Sequence, residues 1–112
     1  MGEMIEVETL DHDAHFGAYV ARPAGTAAAA IVVIQEVFGV NAGIRGKCDR
    51  LAADGYLAIA PDLVWRIAPG EQLDPDVKPE FERGLQLFGR FDQEAGIRDI
   101  EATSRKARAL RG

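Results

Sequence analysis

The sequence predicts an α/β protein, and three observations carry that prediction. Two short runs, Ile31-Val32-Val33-Ile34 and Tyr56-Leu57-Ala58-Ile59-Ala60, are continuously apolar. Runs without alternation mark strands covered on both faces, as in a parallel sheet. Between them Ile44, Cys48, Leu51 and Ala52 recur at the spacing of one helical face. Strand, helix and strand in that order form a βαβ unit, with a parallel sheet and a right-handed crossover.

Each element has its own local signals. From Met4 to Leu10 the chain is β-type, with Ile5, Val7 and Thr9 on one face. Asp11-His12-Asp13 is turn chemistry, and Phe16, Ala18 and Val20 then alternate again, so the two runs pair as a β-hairpin closed by Pro23 to Gly25. Ala27 to Ile34 is the first buried strand. Asn41 is suited to cap the helix that follows, and Gly55 supplies the left-handed residue after its end. Pro61 halts the second buried strand.

From Pro61 to Phe91 the character changes. Pro61, Pro69, Pro75 and Pro79 punctuate it with Gly70, Gly84 and Gly89, while Leu85, Leu87, Phe88 and Phe91 place a helix in its second half. An excursion at a strand's carboxyl end is where α/β proteins build binding sites. Asp92 then caps a final helix whose inner face is Ile97, Ile100, Ser104 and Ala107, with Ser104 its weak point. The expected core is Ile31, Val32, Val33, Ile34, Leu51, Leu57, Ile59, Ile97 and Ile100.

Composition narrows the function. At 112 residues, 47% of them hydrophobic, the chain suits one domain with a real core. A net charge of −5 argues against a nucleic-acid binder, which shows a basic face. The basic cluster Arg98, Arg105, Lys106, Arg108 and Arg111 falls late in the final helix, where cations favour the negative end of the dipole. No apolar run reaches the roughly 18 residues of a membrane span, and residues 1–6 have neither a basic leader nor an apolar stretch. The single cysteine, Cys48, has no partner for an internal disulfide, so the cytoplasm is the expected location.

The chemistry-bearing segment is Gln35-Glu36-Val37-Phe38-Gly39-Val40-Asn41, between the first buried strand and its helix. A carboxylate at the end of a buried strand is costly unless paired or used, and the carboxyl edge of a parallel sheet is the usual ligand position. Other candidates have plainer explanations. Cys48 has Gly46 two before it, but Arg50 stands where a nucleophile elbow needs its second glycine, and the position is mid-helix on the apolar face. Ser104, the sole serine, is also inside a helix. His12 and His15, with Asp11 and Asp13, could approach a metal, but a solvated turn explains them.

The motifs Gln35 to Asn41, Ala60-Pro61-Asp62-Leu63, Ala68-Pro69-Gly70, Leu73-Asp74-Pro75 and Phe91-Asp92-Gln93-Glu94-Ala95-Gly96 stand in an order that resembles the dienelactone hydrolase (carboxymethylenebutenolidase) family. The resemblance covers nearly the whole chain and implies a partial α/β-hydrolase fold. Residues 1–112 are then the N-terminal part of a single domain, ending ahead of its nucleophile elbow. Glu36 matches the glutamate that sits beside the nucleophile thiol and influences its ionisation. Val37 matches the residue whose backbone N–H faces the ester carbonyl oxygen. The family's Cys or Ser lies in a G-x-[CS]-x-G elbow after the strand that should follow Gly112, with the acid and histidine later still. The family's substrate-binding arginine maps onto Phe81, with Arg83 the nearest basic residue. The implied activity is hydrolysis of a small ester or lactone through a covalent acyl intermediate, with no metal or organic cofactor. Phe81 suggests an acyl group less anionic than dienelactone. The 112-residue chain alone is expected to be inactive, and to persist as a marginal monomer, a dimer or a complex with a complementary C-terminal fragment.

Two competing expectations come from other classes. Gly39, Gly43 and Gly46 invite a dinucleotide-binding module, but their spacing is G-x-x-x-G-x-x-G, and the fingerprint needs its first two glycines two apart. Glu36 would also repel a pyrophosphate. The other is a non-catalytic half-domain acting as a binding or assembly module, which no feature of these residues separates from a hydrolase piece.

Overall fold

The computed structural model describes residues 2–111. Its elements run β1 (Gly2–Glu8), β2 (His15–Ala21), β3 (Ala30–Val32), α1 (Ala42–Ala53), β4 (Leu57–Pro61), α2 (Lys78–Arg90) and α3 (Gln93–Arg111). The four strands form one sheet in the order β1-β2-β4-β3. The strand expected after Gly112 lies outside the described residues.

The hairpin forms as its alternation requires. β1 and β2 pair antiparallel with Val7 opposite Phe16, and Val7 and Thr9 are buried on the shared face. At the turn the Thr9 hydroxyl donates to Asp13 Oδ1 at 2.7 Å, while His12, at a φ of 60°, sets its Nδ1 2.9 Å from Glu8 Oε1. Asp11 is drawn away to Arg98 at 2.6 Å. The turn's polar groups are thus engaged with near neighbours. Among the described residues no cluster of three or more His, Cys, Asp or Glu is arranged to hold a metal.

β3, α1 and β4 make the expected βαβ unit, with β3 parallel to β4 and Ile31 opposite Ala58. The sheet as a whole is mixed, not parallel, because β2 takes the place beside β4 and runs antiparallel to it. A hairpin strand needs no crossover to reach that position, so it enters from the other direction. α1 begins where Asn41 Oδ1 accepts the Ile44 N–H at 3.1 Å, and Gly55 follows its end at a φ of 99°. It buries Cys48 and Ala52, with Ile44 and Leu51 beside them, against Tyr19, Ala21, Ala58 and Ala60. α3 covers the opposite face, over Val7, Phe16, Val20, Leu57 and Ile59. Among the described residues, no helix is long and apolar enough to cross a membrane.

Two expectations about the core are corrected. The first buried strand, expected over Ala27 to Ile34, is ladder-paired only over Ala30–Val32. Backbone bonds from Ala28 N to Gly55 O and from Val33 N to Ile59 O carry the contact slightly further. β3 is the edge of the sheet, so Ile31, Val32 and Val33 are only half-buried, and Ile34 is 50% exposed. The second correction concerns α3, whose buried residues are Gly96, Asp99, Ala102, Thr103 and Ala107. Only Ala107 is shared with the expected face. Asp99 explains the rotation: its carboxylate accepts from Trp65 Nε1 at 2.9 Å and from Arg66 Nε and Nη2 at 3.1 and 2.9 Å. A carboxylate partnered in this way can enter the interior. Ile97 is left 66% exposed, and Ile100 half-buried.

Candidate active site

The chain leaves β3 at Val32 and crosses the carboxyl edge of the sheet through Gln35 to Asn41. Gln35 is 8% exposed, and its amide is used at both ends. Oε1 accepts the Leu63 N–H at 2.9 Å, and Nε2 donates to the Glu36 carbonyl at 2.8 Å. One side chain therefore ties the loop after β3 to the loop after β4.

Further along, the segment is joined to the excursion. Gly39, at a φ of 79°, forms an antiparallel bridge with Gln72, and Leu73 N donates to Phe38 O at 2.7 Å. A Cβ on Gly39 would stand 1.7 Å from Glu71 O, so only glycine permits this approach. Asn41, besides capping α1, donates from Nδ2 to Leu73 O at 2.8 Å. Arg45 Nη1 donates to Val40 O and to Gln72 Oε1 at 2.7 and 2.6 Å. At the end of β4, buried Asp62 accepts the Gly70 N–H at 2.8 Å through Oδ2, while Oδ1 has no partner among the described residues. Burial pushes the Asp62 carboxyl up, the Gly70 and Val64 N–H groups pull it back, and Glu71 adds to the rise.

Glu36 is exposed and opens onto a cleft of about 670 Å³. The loop contributes Glu36, Val37 and Phe38, α2 contributes Phe81, Leu85 and Phe88, and α3 contributes Ile97 and Ile100. Among the described residues lining it, Glu36 is the sole charged group. Phe81 stacks on Phe38 with ring centroids 5.8 Å apart. Arg83 turns elsewhere and pairs with Glu71 at 3.1 Å, outside the cleft wall. The structure therefore brings Glu36, Val37 and Phe81 together and leaves Arg83 apart. Neither internal hydroxyl nor thiol considered above reaches the cleft. Cys48 is fully buried, and burial first, then Asp49, push its thiol up to about 11. Ser104 is half-buried on α3.

In the sequence Gln35 stood at the head of the motif without a role for its side chain, and Asp99 had none. A lone amide at the end of an apolar run was the signal for the first. For the second it was the spacing of Gly96, Asp99, Thr103 and Ala107, which fits a helix face as well as the isoleucines do.

A mixed sheet that ends in a parallel βαβ unit, with helices on both faces and a glycine-bearing loop at its carboxyl edge, is a partial arrangement of the α/β-hydrolase type. Residues 16–112 match the model of the dienelactone hydrolase family, and the chain belongs to that family. It is 47% identical over 103 residues to a carboxymethylenebutenolidase of Pseudomonas putida, a match covering 91% of this chain and 44% of the relative. Carboxymethylenebutenolidase 1 of Cupriavidus pinatubonensis is 42% identical over 95 residues, covering 85% of this chain and 41% of the relative. A crystal structure of a Klebsiella pneumoniae protein provisionally named dienelactone hydrolase superposes with a TM-score of 0.69 at 31% identity, over 100% of this chain and 46% of that one. The chain thus spans less than half the length of the curated relatives it matches.

Proposed function

We propose that this chain carries the oxyanion side of an ester or lactone hydrolase site, which works once a nucleophile, acid and histidine are brought to it. The observation that carries this reading is the placement of Glu36 and Val37 together at the sheet's carboxyl edge, facing an apolar cleft. The complete site would form an acyl intermediate by attack of a thiolate or alkoxide on the substrate carbonyl. The Val37 N–H would donate to the oxygen as it gains charge, and Glu36 would hold or release the nucleophile's proton. Cys48 and Ser104 are badly placed to attack, so the nucleophile must come from other residues, and this chain alone has no turnover by that mechanism.

The exposed apolar wall supports the partner half of the proposal. Phe88 is 64% exposed beside Ile34 and Ile97, and a patch of this kind favours association with a complementary C-terminal segment or a second copy. The same wall is what favours a non-catalytic assembly module as the second reading. The substrate is a small ester or lactone with an acyl group less anionic than dienelactone, since Phe81 stands on the wall and Arg83 is neutralised by Glu71. One buried thiol without a disulfide partner supports a cytoplasmic setting.

In a domain completed with its nucleophile, Glu36→Gln should lower ester hydrolysis about tenfold or more while stability stays within about 1 kcal/mol. Unchanged activity would overturn the role of Glu36. Comparing neutral with carboxylate-bearing esters tests the substrate class, and a strong preference for the anionic ones would overturn it.

A further inference from the structure

We propose that Gln35 is the positioning residue for the oxyanion donor: by holding the Glu36 carbonyl, it aims the Val37 N–H into the cleft. This rests on the reading of Val37 given above and adds the group that sets its direction. The Glu36 C=O and the Val37 N–H belong to one planar peptide unit, and no peptide bond among the described residues is cis. In a trans unit the carbonyl and the N–H point to opposite sides, so fixing one fixes the other. Gln35 Nε2 holds that carbonyl at 2.8 Å.

The Gln35 amide is itself held. Its Oε1 accepts the Leu63 N–H at 2.9 Å in a buried bond, and Nε2 donates to the Glu36 carbonyl, so both ends of the buried side chain are engaged. Exchanging the amide's oxygen and nitrogen would set a donor against the Leu63 N–H and an acceptor against the Glu36 carbonyl, which leaves one orientation. Leu63 follows β4, the most deeply buried strand of the sheet, which pairs with β2 and β3 on its two sides. The chain of contacts thus runs from the rigid centre of the fold, through one amide, to the peptide that carries the donor. Among the described residues the Val37 N–H has no acceptor of its own, and Val37 lines the cleft. A hydrogen bond accepted by a peptide carbonyl also polarises the unit, which makes its N–H a stronger donor.

A simple tether between loops would use the same two bonds, so the test must separate aiming from tethering. Two variants of the complete domain do so. Gln35→Met removes the hold on the Glu36 carbonyl. Arg45→Met loosens the same loop by removing its bonds to Val40 O and Gln72 Oε1, without touching the Glu36–Val37 peptide. With p-nitrophenyl acetate, Gln35→Met should lower kcat about 10- to 100-fold with KM nearly unchanged, and Arg45→Met should lower the melting temperature but not kcat. In wild type, a trifluoromethyl ketone that forms a tetrahedral adduct should move the Val37 amide proton downfield in NMR spectra, and the shift should shrink in Gln35→Met. A wild-type amide that does not respond overturns the reading of Val37, and this inference with it. A normal response in both proteins with equal kcat overturns the role of Gln35 alone. Should Gln35→Met fail to fold, the wild type still decides: a scalar coupling across the Gln35 Nε2–Glu36 carbonyl bond is expected, and its absence overturns the proposal.

Discussion

Ile59 and Ile97 are the same residue in opposite situations. Ile59 lies at the centre of the sheet with no exposed surface, enclosed by Val20, Phe16 and the small residues of α3. Ile97 lies on the outer side of that helix, facing a cleft whose other walls are also apolar. The first belongs to a finished core, in which every side chain has neighbours on all sides. The second belongs to a surface with core composition and no cover among the described residues, and Glu36 and Val37 sit at its rim. The contrast separates what the sheet and its helices close by themselves from the candidate site, where Glu36 stands on an apolar wall left exposed among the described residues.

The largest effect expected is at the joint between the two regions. Gly39→Ala would drive a Cβ into Glu71 O and hold a non-glycine residue at positive φ. It should cost about 3 kcal/mol or more in urea denaturation. A loss under about 1 kcal/mol would mean that the excursion is not docked against this loop. Next comes the comparison itself. Ile59→Ala should cost about 2–5 kcal/mol, and Ile97→Ala about 0.5 kcal/mol or less in the 112-residue chain by itself. Equal costs would show that Ile97 is covered in solution, by a second copy or by a rearranged helix.

The finished half was the more legible in the sequence. Ile5, Val7 and Thr9 alternate because one face of β1 is buried, and Ile44, Cys48, Leu51 and Ala52 repeat because α1 lies on the sheet. Those periods follow directly from burial. The edge strand and the last helix were less legible for the same physical reason. Ile31 to Ile34, and the pair Ile97 and Ile100, are apolar enough for a core, and hydrophobicity alone does not say whether a neighbour is present to cover them. Asp99 was hidden because its burial depends on Trp65 and Arg66, more than thirty residues away. At the candidate site, the family motif pointed to Glu36 and Val37, and both line the cleft. Gln35 escaped because its task is visible only when its partner Leu63, from another loop, is in place.

An effect confined to high pH concerns Cys48, on the finished side. An unfolded thiol ionises near its ordinary value of 9.0, whereas this one does so only near 11 because it is buried. The folded state keeps its proton across that window, so stability falls as pH rises from 9 towards 11. Cys48→Ala removes this contribution, and its melting temperature should decline less steeply than that of wild type over the same range. Parallel curves would mean that the thiol is open to solvent, and with it that the α1 face is less closed than Ile44, Cys48 and Ala52 imply.

The most direct measurement is p-nitrophenyl acetate hydrolysis by the purified 112-residue chain, alone and mixed with a polypeptide carrying the nucleophile, acid and histidine of a dienelactone hydrolase domain. The chain alone is expected to show no turnover, and the mixture to hydrolyse the ester at a rate that falls when Glu36→Gln is introduced. Turnover by the chain alone that survives both Glu36→Gln and Cys48→Ala would contradict the placement of the site at Glu36 and Val37 and the need for a nucleophile from elsewhere.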